Sequence, residues 1–171
     1  MSKAIVVYFS RGDEEYEVGV VNPGNTEILA KEIVRLTGAD EFKIVPEVAY
    51  PKSYMECIDL ATEERNAGAR PRYVGEVDLA EYDTVYLGYP IWWGDLPMVV
   101  YTFIEKHDFA GKTVVPFNTH EGSGNSGTYE TLARLMPGAK LVGGGFNMPG
   151  HVARTEEGAR RVEEWLRGME V

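Results

Sequence analysis

The sequence is poor in cysteine, in basic residues and in long apolar runs. A single cysteine, Cys57, stands among 171 residues, so the chain cannot form an internal disulfide, which favours a reducing compartment. The formal net charge is −10 and no basic cluster occurs, which argues against nucleic acid and anionic membranes as partners. The apolar run at residues 4–9 is too short for a signal peptide or a membrane-spanning helix. We therefore expect a cytoplasmic protein.

Motifs for metals and for other nucleotide-binding classes are also absent. The histidines His107, His120 and His151 stand at no metal-ligand spacing, so we expect no metal site. No Gly-x-x-x-x-Gly-Lys motif occurs, which excludes a P-loop nucleotidase. A Gly-x-Gly-x-x-Gly stretch begins at Gly122, but the acidic residue that a dinucleotide site needs about 20 positions later is missing, which argues against a Rossmann domain.

What the sequence does contain indicates one α/β domain over residues 1–171. Hydrophobic residues make up 44% and charged residues 26%, and no linker or repeat divides the chain. Short apolar runs alternate with helical periodicity, which predicts a five-stranded parallel sheet with helices on both faces, a three-layer sandwich. The strands are predicted over residues 4–9, 42–45, 84–89, 112–119 and from 140 to 143, and the helices over 26–36, 53–67, 96–104, 128–136 and from 155. Pro116 cannot donate a ladder hydrogen bond, so we expect a bulge or irregular pairing in the fourth strand.

In such sheets, ligands bind outside the carboxyl ends of the strands. The loop after the first strand begins with Ser10 and Arg11 and ends with Gly24, Asn25 and Thr26, where the first helix starts. The free N–H groups and the positive end of the macrodipole favour a phosphate there, and hydroxyl and amide side chains add donors. We predict a phosphate site, with a simple helix cap as the alternative.

The loop after the third strand is aromatic and reads Pro90-Ile91-Trp92-Trp93-Gly94. Neighbouring loop side chains often diverge, so one indole can be buried while the other stacks on a flat aromatic ligand. The alternative is that both indoles simply cover the end of the sheet. We predict an aromatic clamp.

The loop after the fourth strand is small and polar. It begins Thr119-His120-Glu121-Gly122-Ser123-Gly124. Its backbone N–H groups can approach a ring edge that carries carbonyls and ring nitrogens. His120 could hydrogen-bond such a ring or a substrate.

These three loops together resemble the flavodoxin family. They are similar to its bacterial branch with a Gly-Asn-Thr phosphate motif and a Tyr-Pro-Ile-Trp-Trp-Gly loop, here residues 24–26 and 89–94, and the resemblance covers essentially the whole chain. It implies the sheet order 2-1-3-4-5 and a non-covalently bound FMN. The phosphate would lie on Ser10, Arg11, Asn25 and Thr26. The isoalloxazine would lie between residues 90–94 and 119–124, with one tryptophan stacked on it.

One stretch departs from the family pattern. The phosphate loop is normally short, but here residues 12–23 separate its two halves, so this insertion either folds outward or reshapes the site. Tyr50, Pro51 and Tyr54 could also line the outer side of the flavin, although ordinary packing is the favoured interpretation.

The resemblance implies an electron carrier that serves a redox protein or a small-molecule acceptor, as a monomer or a homodimer. An NAD(P)H-dependent quinone or flavin oxidoreductase on the same fold is the alternative. The acidic chain, with few cations near the site, predicts a flavin potential below that of free FMN. A signalling receiver domain needs an aspartate where this chain has Tyr89 and Pro90, which excludes that class.

Overall fold

The computed structural model describes residues 3–15, 19–142 and 145–169. Its strands are β1 (Ala4–Tyr8), β2 (Asp13–Glu15), β3 (Gly19–Val21), β4 (Asp40–Lys43), β5 (Val45–Pro46), β6 (Tyr73–Val74), β7 (Thr84–Pro90), β8 (Thr113–His120), β9 (Lys140–Leu141) and β10 (Phe146–Pro149). Its helices are α1 (Asn25–Thr37), α2 (Tyr54–Ala67), α3 (Met98–Lys106), α4 (Thr128–Leu135), α5 (Gly150–Ala153) and α6 (Glu156–Gly168).

A parallel sheet forms the centre of the fold, in the order β4-β1-β7-β8-β10. Counted along the chain, this is the predicted 2-1-3-4-5 order. β1 pairs with both β4 and β7, so the first strand is an interior strand with a paired neighbour on either side. The carboxyl ends of β1, β7 and β8 therefore meet at one edge, where the strand order reverses and where open α/β sheets bind ligands.

Side chains alternate along the strands and divide the core into two halves. Ile5 and Val7 of β1 pack with helix α3 on one face, whereas Val6 and Tyr8 pack with α1 and α6 on the other. The helix predicted over residues 96–104 begins at Met98, so Leu96 is buried just before α3, and Val99, Val100, Phe103 and Ile104 form the buried face that the helical spacing predicts. Both faces of the sheet are therefore covered, which explains the continuous apolar runs in β1 and β7.

The fifth strand differs from the prediction because it is broken. β9 pairs with β8 at Thr113 and Val114, and β10 resumes the pairing at Phe117. Pro116 lies in this gap, while β8 pairs with β7 through Pro116 without interruption. The predicted bulge is therefore absent from the pairing of β8 with β7, and the interruption lies on the other side of β8, in its pairing with the edge strand. Residue 143 of the predicted strand lies outside the described residues.

The predicted long loop of residues 10–24 also proves to be partly regular. β2 and β3 pair antiparallel, with Asp13 opposite Val21, and form a small hairpin of their own. A second two-stranded sheet joins β5 to β6, so the predicted strand over residues 42–45 ends at Lys43 and its last residue belongs elsewhere. No described helix has the length and apolar character needed to cross a membrane.

Candidate functional site

A pocket of about 310 Å³ opens at the carboxyl edge of the sheet. It lies between α2, the start of α1 and the loops that follow β7 and β8. Its lining residues are Arg11, Asn25, Tyr54, Cys57, Ile58, Ala61, Pro90, Ile91, Trp92, Trp93, Gly94, Thr119, His120, Glu121 and Ser123. The three loops selected from the sequence thus meet around one cavity. Four of the predicted residues, Ser10, Thr26, Gly122 and Gly124, lie outside this lining.

The start of α1 is held against the end of β1 by a close backbone approach. Gly24 is the N-cap, and a Cβ there would lie 2.2 Å from the Arg11 carbonyl oxygen and 2.6 Å from Ser10 Oγ. The two halves of the predicted phosphate loop are therefore adjacent, and none of the described residues of the insertion between them lines the pocket. Because Gly24 has no capping side chain, the first turn of α1 presents N–H groups at the pocket.

Ser10 and Thr26 support this turn from behind. Ser10 Oγ accepts a hydrogen bond of 2.9 Å from the Glu27 N–H, and so satisfies one donor of the first turn. Thr26 is buried, and its hydroxyl bonds the Thr119 hydroxyl at 2.7 Å. The two residues join the helix to β1 and β8, and neither side chain lines the cavity.

The two tryptophans diverge. Trp92 packs edge-on against Phe9 and Tyr50, with ring centroids 5.3 and 4.9 Å apart. Trp93 is 53% exposed beside the pocket and has a φ of 54°, which is unusual for a residue with a large side chain. Residues 92–95 form a tight turn, which is closed by reciprocal backbone hydrogen bonds of 3.0 Å between Trp92 and Asp95. The first indole therefore belongs to the core, and the second is the one left available for stacking.

Side chains from β10 and α5 fix the third loop. His120 Nδ1 accepts the Gly122 N–H at 3.0 Å, and its Nε2 bonds Asn147 Oδ1 at 3.0 Å, which corresponds to a neutral ring with the proton on Nε2. Glu121 accepts hydrogen bonds from the backbone N–H of His151 at 2.8 Å and from its imidazole at 2.7 Å. The carboxylate of Glu121 thus lies at the pocket with a fixed orientation.

The sequence model of the flavodoxin family matches residues 3–168, nearly the whole chain. The chain belongs to the flavodoxin family. No curated protein matches it significantly.

Solved structures agree with this assignment. A structure from Bacteroides eggerthii, provisionally described as a flavoprotein, is 28% identical, with a TM-score of 0.77 over 100% of this chain and 99% of that chain. A similarly described protein from Bacteroides uniformis is 29% identical, with a TM-score of 0.77 over 97% and 98%. A flavoprotein from Lactobacillus acidophilus, solved in complex with FMN, shares the fold at 17% identity, with a TM-score of 0.65 over 89% and 96%.

Arg11, predicted to bind phosphate, lines the pocket and is buried. Its Nη2 donates to the carbonyl oxygens of Pro51 at 2.7 Å and Lys52 at 2.9 Å. A guanidinium bonded to these carbonyls holds the segment that leads into α2. Arg11 therefore shapes one wall of the pocket from below.

Helix α2 supplies a wall that sequence reasoning largely missed. Cys57, Ile58 and Ala61 line the pocket from one helical face, and the i, i+1, i+4 spacing of these small and apolar residues was the available signal. Tyr54 also lines the pocket, whereas Tyr50 packs behind Trp92 and donates to Glu64 at 2.7 Å. Burial and this carboxylate raise the pKa of Tyr50, so it remains a neutral phenol.

Removing one partner of the buried threonine pair should destabilise this flavodoxin. Thr119→Val leaves the Thr26 hydroxyl buried without its 2.7 Å partner, and we expect the free energy of unfolding to fall by about 2 kcal/mol. The double variant T26V/T119V removes both polar groups and should be no less stable than T119V. Urea denaturation of wild type, T26V, T119V and T26V/T119V completes a double-mutant cycle. If the losses of stability in the two single variants add up to the loss in the double variant, the two hydroxyls do not interact.

Proposed function

We propose that the chain binds one FMN non-covalently in this pocket and transfers electrons through it. The proposal rests on one observation. At the carboxyl edge of the parallel sheet, the N-terminus of α1 lies beside a pocket lined by apolar and aromatic side chains. The FMN complex of the Lactobacillus acidophilus protein, which shares this fold, supports the same choice of ligand.

The residues at the start of α1 fit the phosphate end of FMN. The first turn has no cap from the Gly24 side chain, and its N–H groups other than that of Glu27 can act as donors with the positive end of the helix dipole behind them. Asn25 lines the pocket and adds an amide donor. Gly24 lacks the side chain that would separate the two halves of this loop.

The rest of the pocket fits a flat aromatic ring. Trp93 offers an exposed face, and Ile58 and Ala61 of α2 offer an apolar wall for the hydrocarbon part of the ring. His120, Glu121 and Ser123 line the polar side, where ring carbonyls and nitrogens find partners. Bound FMN supplies one- and two-electron redox chemistry, while these residues bind it, orient it and limit its contact with water.

The Glu121 carboxylate should lower the potential of the flavin. It is largely buried at the pocket, and a nearby negative charge disfavours the added charge of reduced flavin. We expect a midpoint potential below that of free FMN, and we expect Glu121→Gln to raise it by about 20–60 mV, since 59 mV corresponds to about 1.4 kcal/mol for one electron. Spectroelectrochemistry measures both. Glu164→Gln, which removes an exposed carboxylate of α6, should leave the potential unchanged, and an equal shift there would contradict a local effect.

An anaerobic titration of the FMN-loaded protein with NADH and NADPH tests the proposed function. We expect the flavin absorbance to persist with either nucleotide and to bleach with dithionite, as in a carrier that awaits a protein partner. Bleaching within seconds by NAD(P)H alone would instead identify an oxidoreductase and direct the search to quinone or flavin substrates. Failure to retain FMN would overturn both functions.

A further inference from the structure

We infer that Arg154 sets the affinity of the pocket for the phosphate of FMN. The inference deepens the proposed function and rests on it. Arg154 follows α5, a short helix that comes directly after β10 and has no counterpart among the elements predicted from the sequence.

Close packing brings α5 onto the start of α1. A Cβ on Gly150, the first residue of α5, would lie 2.2 Å from Asn25 Nδ2 and 2.8 Å from Glu121 Oε1. Only a residue without a side chain allows this approach. The backbone of α5 is therefore held next to two residues that line the pocket.

Arg154 extends this contact to the loop that leads into α1. Its Nη1 donates to the Pro23 carbonyl oxygen at 2.9 Å and to Asn25 Oδ1 at 3.0 Å. Because Oδ1 accepts from Arg154, the donor Nδ2 of Asn25 is turned the other way, toward Gly150 and Glu121. Arg154 thus orients the amide of Asn25 as a donor on the pocket side and places a positive charge beside the first turn of α1.

The charges around this turn make Arg154 the relevant cation. Arg11 lines the pocket and also bonds neutral carbonyls, but these belong to the segment before α2, whereas Arg154 bonds the start of α1 itself. Glu27 in the first turn is paired with Lys43 at 2.6 Å, and Glu121 adds a negative charge at the pocket. Arg154 bonds neutral oxygens and pairs with no carboxylate among the described residues, unlike the arginines of α6. Its charge is therefore available to offset the phosphate.

The test compares FMN with riboflavin, which carries the same ring without the phosphate. Dissociation constants are measured by fluorescence quenching for wild type, Arg154→Gln and Arg154→Lys, with Arg167→Gln as a matched change of charge on the exposed face of α6. We expect R154Q to weaken FMN binding about tenfold, which corresponds to 1.4 kcal/mol, and to leave riboflavin binding unchanged. R154K should retain most of the FMN affinity, and R167Q all of it. The FMN affinity of R154Q should also depend less on salt than that of wild type.

Other outcomes overturn the inference in distinguishable ways. Equal losses for FMN and riboflavin in R154Q would show that Arg154 only holds the fold of the loop. An unchanged FMN affinity in R154Q would show that the phosphate does not interact with it. If wild type binds neither ligand, the proposed function itself fails, and the role of Arg154 fails with it.

Discussion

Replacement of Trp93 by alanine should weaken FMN binding about 30- to 100-fold and leave the stability of the protein nearly unchanged. Trp93 is 53% exposed beside the pocket, so its removal takes away little packing within the protein. Stacking of an aromatic ring on an indole contributes about 1–3 kcal/mol, which accounts for the loss. Alanine and tryptophan both carry a Cβ, so the positive φ of 54° at this position costs them about the same. The conformation of the turn should therefore be kept in W93A. Fluorescence titration with FMN and urea denaturation measure the two quantities.

Trp92 provides the matched comparison. Its ring packs edge-on against Phe9 and Tyr50, so Trp92→Ala should lower the free energy of unfolding by about 2–3 kcal/mol. The assignment of Trp93 as the stacking residue therefore requires that W93A lose affinity without losing stability. A W93A variant that binds FMN as tightly as wild type would assign the stacking to another ring.

A methyl group at Gly88 should destabilise the protein by about 3 kcal/mol or more. Gly88 lies in β7 directly opposite Phe117 of β8, and a Cβ there would lie 2.2 Å from the phenyl ring. Phe117 is fully buried, so the ring has no free space into which it can move. Overpacking of this kind costs about 1–3 kcal/mol in ordinary cores, and a contact this short belongs at the upper end. Urea denaturation of Gly88→Ala measures the effect.

Two further variants isolate the cause. Phe117→Leu removes the ring, so the double variant G88A/F117L should lose less stability than the sum of the single variants. Gly168→Ala changes a glycine at the end of α6 where a Cβ meets nothing within 4 Å, and this variant should be as stable as wild type or slightly more stable. If the losses of stability from Gly88→Ala and Phe117→Leu were strictly additive in the double variant, the clash with the ring would not be the source of the loss.

The main elements of the fold were predictable because their signals are local. The apolar runs of β1 and β7 and the spacing of α3 depend on periodicity alone, and Gly38 ends α1 with a φ of 71°, as a helix-stop glycine does. Thr155 likewise caps α6 through a 3.2 Å hydrogen bond from the Gly158 N–H. The sheet order came from the resemblance to a family, since no local signal specifies which strands are neighbours.

The parts of the site that were missed depend on long-range contacts. Glu121 meets His151 across 30 positions of sequence, and Asn25 meets Arg154 across 129, so neither pair leaves a pattern that spacing could reveal. Arg11 shows the same limit. Its place after β1 predicts a phosphate ligand, but local sequence gives no sign of the hydrogen bonds from its guanidinium to carbonyls that lie 40 residues away. Local sequence located the loops of the site, whereas tertiary packing decided which side chains face the cavity.

The hairpin of β2 and β3 makes this domain suited to insertion and labelling. Its base is closed tightly, since a Cβ on Gly12 would lie 2.1 Å from Asn22 Oδ1. Its outer strand exposes Val20 by 75%, and a Cβ on Gly19 would meet nothing within 4 Å. Doubling the length of a flexible loop costs only about 0.6 kcal/mol. An epitope or a reporter group placed at Val20 would therefore project into solvent.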